Sequence, residues 1–198
     1  IIMYVLIKDT RLFTKINIKN KKIGVIITTH GNNGILVEQC IKSHMIFLPK
    51  NTQYFLFVNE SKDPVTLSLN KKYPNLEYIY IKDQHKNGGL TGTWNQGINK
   101  CLKKNCDLIC ISNDDLIIDS SIHYIIQIAN YTSPNSLHYY GPVTNNPGPS
   151  TLNKGQSLRH INTGVKLRNT NLNGFFMVFP INSLLKNMYN HIDYFDPK

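Results

Sequence analysis

At 198 residues with 41% hydrophobic side chains, the chain is long enough for one compact domain and short for two. No stretch approaches the roughly 18 to 20 uninterrupted apolar residues of a membrane span, so a soluble globular protein with a single core is expected. The formal net charge of +10, from 22 basic and 12 acidic residues, suits a phosphate-bearing partner; because no Lys/Arg block tracks one element, nucleic acid is not the expected partner.

Residues 1 to 22 read as an N-terminal strand or arm followed by a basic connector. The opening apolar run lacks a basic region before it and a small-residue cleavage site after it. No cleavable signal is legible, and a cytoplasmic location is expected. The core begins at Lys22-Ile-Gly-Val-Ile-Ile-Thr-Thr-His-Gly31, a β-branched run of the kind buried on both faces in parallel sheets. Ile35 to Phe47 predicts a helix whose apolar face carries Ile35, Leu36, Cys40, Ile41 and Ile46, closed by Pro49.

The alternation then repeats. Tyr54 to Val58 predicts a second strand ending in Asn59-Glu60-Ser61, Val65 to Lys72 a helix, and Leu76 to Ile81 a third strand. Asn87-Gly-Gly89 predicts a turn before a helix over Thr91 to Leu102, with Trp94 and Ile98 on one face. Asp107 to Ser112 predicts a fourth strand that empties into Asn113-Asp-Asp115. Ser120 to Ala129 reads as helix and Tyr139 to Val143 as a fifth strand. Thr144 to Asn173 lacks periodicity and is expected to form a functional lid or a partly ordered region. Gly174 to Phe179 is again strand-like, and Ile181 to Ile192 predicts a short amphipathic helix.

Alternating strands and helices with these crossover lengths predict a three-layer α/β/α domain with a mixed, mainly parallel sheet. Its ligand crevice belongs outside the carboxyl ends of the strands. There the polar clusters fall: Thr28-Thr-His-Gly31, Asn59-Glu-Ser61, Asn87-Gly-Gly89 and Asn113-Asp-Asp115. One such cluster is a turn; four at corresponding edges point to one assembled site. The adjacent carboxylates Asp114 and Asp115 repel each other at a strand tip, and a divalent cation beside them relieves that repulsion. Hard oxygen ligands suit Mg2+ or Mn2+, completed by water and substrate phosphate, while the plainer reading is a helix N-cap. Neither G-x-G-x-x-G after the first strand nor a Walker G-x-x-x-x-G-K-[ST] is present, which weakens the dinucleotide-enzyme and P-loop readings. Cys40, Cys101, Cys106 and Cys110 lack the short paired spacings of a zinc or thioredoxin-like site, so buried thiols are expected and no disulfide framework.

These landmarks resemble the nucleotide-sugar glycosyltransferases of the GT-A fold, especially the large group often called family 2. Val25-Ile-Ile-Thr-Thr-His-Gly31 looks like that group's first-strand segment, with His30 where tyrosine is usual. Val58-Asn-Glu-Ser61 looks like a shortened, less acidic version of its second-strand end. Asn87-Gly-Gly-Leu-Thr-Gly-Thr-Trp-Asn-Gln-Gly97 resembles its Asn-Gly-Gly-Leu helix, with Trp94 replacing the usual Arg in favour of packing or base contact. Asn113-Asp-Asp115 corresponds to its metal motif. The resemblance covers about Lys22 to Asp119 and thins beyond, where Leu172 to Phe179 looks like the acceptor-side segment and Tyr194-Phe-Asp196 like the segment before the catalytic region.

The resemblance implies nucleotide contacts from Thr28, Thr29, His30, Asn59, Glu60, Asn87 and Asp114. It implies Mn2+ or Mg2+ on Asp115 and Asp114, and a general base several residues beyond the Phe-Asp segment, past the end of this sequence; within it Asp193 or, preferably, Asp196 is the candidate to reach the acceptor. The implied reaction is metal-dependent, inverting transfer of a sugar from a nucleoside-diphosphate sugar, UDP-sugar favoured, to a glycan or other acceptor hydroxyl. Lys154, Arg159, His160, Lys166 and Arg168 are candidates to close over phosphate or acceptor. The domain is expected to occupy 1–198 with its core from about 22. Because the sequence stops at Lys198, where relatives have yet to present their base, it is expected to be C-terminally incomplete, with further domains of a longer polypeptide beyond. Two alternatives stand: a sugar-phosphate nucleotidyltransferase, for which His30-Gly-Asn-Asn-Gly34 offers glycine without the needed basic residue, and a non-catalytic nucleotide- or glycan-binding module.

Overall fold

The computed structural model describes residues 21–31, 33–120, 122–131 and 176–186. In chain order the elements are β1 (Ile23–Thr29), α1 (Gly34–Phe47), β2 (Gln53–Asn59), α2 (Pro64–Lys72), β3 (Leu76–Ile81), α3 (Gly89–Lys103), β4 (Leu108–Asn113), α4 (Ile122–Tyr131), β5 (Phe176–Pro180) and α5 (Ile181–Lys186). Two helix starts are set by a capping side chain. The Asn33 side chain accepts the Leu36 N–H at the head of α1, and Asp63, followed by Pro64, accepts the Thr66 N–H at 2.7 Å at the head of α2.

The strands form one sheet in the order β3-β2-β1-β4-β5. β3, β2, β1 and β4 run parallel, and β5 returns antiparallel beside β4, pairing Cys110 with Val178. This is the expected three-layer, mainly parallel architecture. All seven residues of β1 are buried, as a central strand covered on both faces requires.

Side-chain alternation splits the core in two. Val25 and Ile27 of β1, Leu56 and Val58 of β2 and Cys110 of β4 pack beneath α1, α2 and α4, through Val37, Cys40, Ile41, Leu69, Ile125 and Ile126. Ile26, Phe55, Phe57, Ile109 and Ile111 face the other way, onto Trp94, Ile98 and Cys101 of α3 and Leu184 of α5. At the α3–β1 crossing, a Cβ on Gly97 would come 2.7 Å from Ile26, so only glycine lets the helix lie this close.

The predicted elements from Ile23 to Tyr131 are all present, with one correction inside α1. Ile35, Leu36 and Ile46 are exposed, and the inward face is instead Val37, Cys40, Ile41 and His44. These sit at i, i+3, i+4 and i+7, one stripe of a helix, whereas Ile35 and Ile46 fall outside it. The fifth strand lies at 176–180; the predicted strand at Tyr139 to Val143, the segment from Thr144 to Asn173, the N-terminal arm and the end of the C-terminal helix lie outside the described residues. No helix among the described residues is long and apolar enough to cross a membrane.

Candidate functional site

The chain leaves β1 towards β2 and β3 on one side and later returns to place β4 on the other, so the sheet order reverses between β1 and β4. There Thr28 is in register with Asn113, which brings the next residues, Thr29 and Asp114, to the mouth of the crevice. The Thr29 hydroxyl donates a short hydrogen bond to Asp114 Oδ2 and accepts the Gly31 N–H at 2.6 Å. One carboxylate of the pair is therefore fixed by β1. Asp115 is exposed and makes no hydrogen bond or ion pair with the described residues.

The belt continues across the edge. Ser61 Oγ donates to the Gly31 carbonyl at 3.1 Å, tying the loop after β1 to the loop after β2. Glu60, beside Ser61 in the second of these loops, has φ of 54°, a left-handed conformation uncommon for a side-chain-bearing residue. Its N–H donates to the Ile81 carbonyl at 2.9 Å, and its Oε1 accepts the Gln84 N–H at 2.9 Å. The Gln84 carbonyl in turn accepts the N–H groups of Asn87 and Gly89, where α3 begins. Gly88 and Gly89 both have positive φ, as the predicted turn needs. The Asn87 side chain is held by Gln96 and Thr93.

The structure thus brings Thr29, Glu60, Asn87, Asp114 and Asp115 to one edge, as four separate strand-end clusters suggested. It also separates the candidates by face. Thr28, Asn59 and Asn113 fall on the α3 side by alternation, whereas Thr29 falls on the α1 side. Asn59 is 1% exposed and its Oδ1 has no hydrogen-bond partner among the described residues, an orphaned acceptor at the tip of β2. His30 is exposed beyond the strand. Trp94 lies in the core between α3 and the sheet, which is the packing alternative. Asp193, Asp196, Lys154, Arg159, His160, Lys166 and Arg168 lie outside the described residues.

Behind the mouth, the Cys40 thiol donates to the Asn113 carbonyl at 3.4 Å. Burial pushes this thiol up to about 12, with the charges of Asp114 and Asp115 adding to the rise, so it stays protonated and acts as a structural donor. Sequence reasoning missed Gln84, whose backbone joins Glu60 to α3, and the exposed Lys62, Lys82 and Lys86 on the loops after β2 and β3. Their only signal was position: each follows a strand at its carboxyl end.

The donor set fits a hard divalent cation of a particular kind. Two adjacent carboxylates, one anchored and one open, supply oxygen ligands, and no group of three or more His, Cys, Asp or Glu forms among the described residues. Such a pair suits an ion that takes its remaining ligands from water and substrate oxygens.

The architecture is shared with solved structures. S. aureus TarS 1-349 in complex with UDP-GlcNAc superposes with a TM-score of 0.54 at 18% identity, over 87% of this chain and 48% of that one. TarS 1-349 alone gives 0.53 at 16%, over 89% and 51%. The 4-diphosphocytidyl-2C-methyl-D-erythritol synthase structure gives 0.50 at 12%, over 84% and 78%. The chain spans about half the length of TarS 1-349. No protein-family model and no curated protein sequence matches it. At these identities the likeness shows the fold alone: a GT-A-like, three-layer α/β/α architecture.

Proposed function

We propose that the chain is a family 2-like glycosyltransferase domain that binds a nucleoside-diphosphate sugar, UDP-sugar favoured, and transfers the sugar to an acceptor hydroxyl with inversion. The observation that carries this reading is the Thr29–Asp114 contact across the β1/β4 reversal, continued as a hydrogen-bonded belt to Glu60 and Asn87. Such a belt holds polar groups rigidly along the crevice in which this fold binds nucleotides. Thr28, Asn59 and Glu60 would seat base and ribose; the orphaned Asn59 Oδ1 would accept a donor from the ligand or a bridging water. His30, Thr29 and Asn87 would flank the nucleotide, and Lys62 and Lys82 would attract the diphosphate.

Asp115 and Asp114 would hold Mn2+ or Mg2+, which when bound supplies charge stabilisation to a departing diphosphate. Asp114, fixed by Thr29, serves equally to hold a ribose hydroxyl. Inversion requires a carboxylate to take the acceptor proton, and Asp196 is the candidate base. A cytoplasmic location and a glycan acceptor belong to the same reading.

The test is calorimetric titration with UDP, GDP and CDP and their sugars, with and without Mn2+, on the protein and on Asp115→Ala. UDP should bind more tightly with Mn2+, and Asp115→Ala should lose most of that gain while remaining folded. Equal affinities in all four cases would reject the metal assignment. A second reading, sugar-phosphate nucleotidyl transfer, draws support from the likeness to 4-diphosphocytidyl-2C-methyl-D-erythritol synthase. It requires pyrophosphate release from a nucleoside triphosphate and a sugar phosphate. Nucleotide binding with neither turnover would indicate a binding module.

A further inference from the structure

At the end of the domain opposite the crevice, α3 stops in a defined cap. The Cys106 N–H donates to the Cys101 carbonyl at 3.0 Å, the Asn105 N–H donates to the Leu102 carbonyl at 2.9 Å, and Asn105 has φ of 54°. These are the two bonds and the left-handed residue of a Schellman motif, in which the residues in the positions of Cys101 and Cys106 bring their side chains together. Apolar side chains usually meet there. Here the meeting groups are two thiols.

The pair sits against β1 at Gly24. A Cβ at that position would collide with the Cys101 sulfur and lie 3.1 Å from the Cys106 sulfur, so both sulfurs occupy the space that glycine leaves in the sheet. Cys101 is fully buried, whereas Cys106, two residues before β4, is 5% exposed. Cys110 points to the opposite core, beneath α1 and α4.

We propose that Cys101 and Cys106 are a redox-active dithiol that closes to a disulfide with a small hydroperoxide, locking the end of α3 to the start of β4. Cys106 is the attacking sulfur. It is the less buried of the two; the neighbouring Cys101 thiol and then the Lys22 charge hold its proton affinity below the usual thiol range against the opposing effects of burial and Asp107, while Cys101 is raised. The Cys106 thiolate breaks the peroxide O–O bond and becomes a sulfenic acid; for hydrogen peroxide the departing hydroxide takes up a proton and leaves as water. The Cys101 sulfur then attacks the sulfenic sulfur, its proton leaving with the displaced hydroxyl as a second water. Two thiols are oxidised and one peroxide is reduced to two waters. A molecule as small as a peroxide suits a sulfur this enclosed.

The site is distinct from the nucleotide crevice, and its test does not involve nucleotide. The whole chain is treated with hydrogen peroxide, unfolded, alkylated and digested with trypsin without reduction. Lys103 and Lys104 lie between the two cysteines, so a disulfide joins two separate peptides. The expected result is loss of two of the four thiols together, a link mapped by fragmentation to Cys101 and Cys106 rather than Cys110, and full recovery of four thiols with dithiothreitol. The denaturation midpoint should rise on oxidation and fall back on reduction. In Cys101→Ser, Cys106 should give a sulfenic acid captured by dimedone and no disulfide. Four thiols still alkylated in oxidised wild-type protein, a link to Cys40 or Cys110, or stepwise oxidation of Cys106 to sulfinic acid without a link would each overturn the proposal. The wild-type experiment decides this even if a variant fails to fold.

Discussion

His44 is fully buried on α1. Its Nδ1 donates to the Cys40 carbonyl at 2.8 Å, its ring tilts against Phe176, and its Nε2 has no partner among the described residues. A charged imidazole there would lack solvation, and burial pushes its pKa down to about 4 from 6.5. The sign follows directly. The unfolded chain takes up a proton near pH 6.5 and the folded chain only near 4, so His44's contribution is whole above 6.5 and is lost as pH falls through that window. At pH 5 the loss should be roughly 2 kcal/mol. Urea titrations at pH 7.5 and pH 5 on the protein and on His44→Leu should show the pH difference shrinking in the variant; an unchanged difference would place the titration elsewhere.

Thr29 is the second residue whose role can be isolated. Its hydroxyl both donates to Asp114 and accepts the buried Gly31 N–H. Thr29→Val preserves shape but orphans that N–H and releases Asp114. The expected destabilisation is about 1 to 3 kcal/mol, with weaker UDP binding beyond it. Denaturant unfolding and calorimetry on the same preparation separate the two effects.

At the scale of elements, α3 does most to join core and site. Its head carries the Gly88–Gly89 turn beside Asn87, its middle packs Gly97 on Ile26, and its tail ends in the two-thiol cap. Gly97→Val would push the helix off β1. Overpacking of this kind costs about 1 to 3 kcal/mol, more than the few tenths recovered from helix propensity. A lowered thermal midpoint with weakened nucleotide binding is expected, because the displaced helix carries Asn87 with it. Helix α1 illustrates how apolar content misleads. Leu36 and Ile46 are exposed while His44 and Ser43 are buried, since the side facing the sheet is chosen by the partner surface rather than by hydrophobicity alone.

For the whole molecule, binding to the folded state alone must raise stability. UDP with Mn2+ at one hundred times its dissociation constant should add about 2.7 kcal/mol, and for a domain of this size that raises the thermal midpoint by several degrees. A thermal scan with UDP and Mn2+ together and separately measures it. A midpoint that rises equally with UDP alone would show that the metal plays no part in binding.

Local chemistry was legible from the chain. β-branched and aromatic runs, glycine breaks and the Asn33 and Asp63 caps marked most of the described elements, because strand and helix periods are set by near neighbours. The polar clusters at strand ends were legible for the same reason, and parallel topology then made them one edge. What only the tertiary structure decided are the contacts between residues far apart in sequence. Thr29 meets Asp114 because β4 returns beside β1, Ser61 pins Gly31 across two loops, and Gly24 makes room for the thiols of Cys101 and Cys106. Periodicity carries no information about which strand lies beside which, or which stripe of a helix turns inward. Those choices follow from burying both sheet faces at once, a condition that exists only when the whole chain has come together.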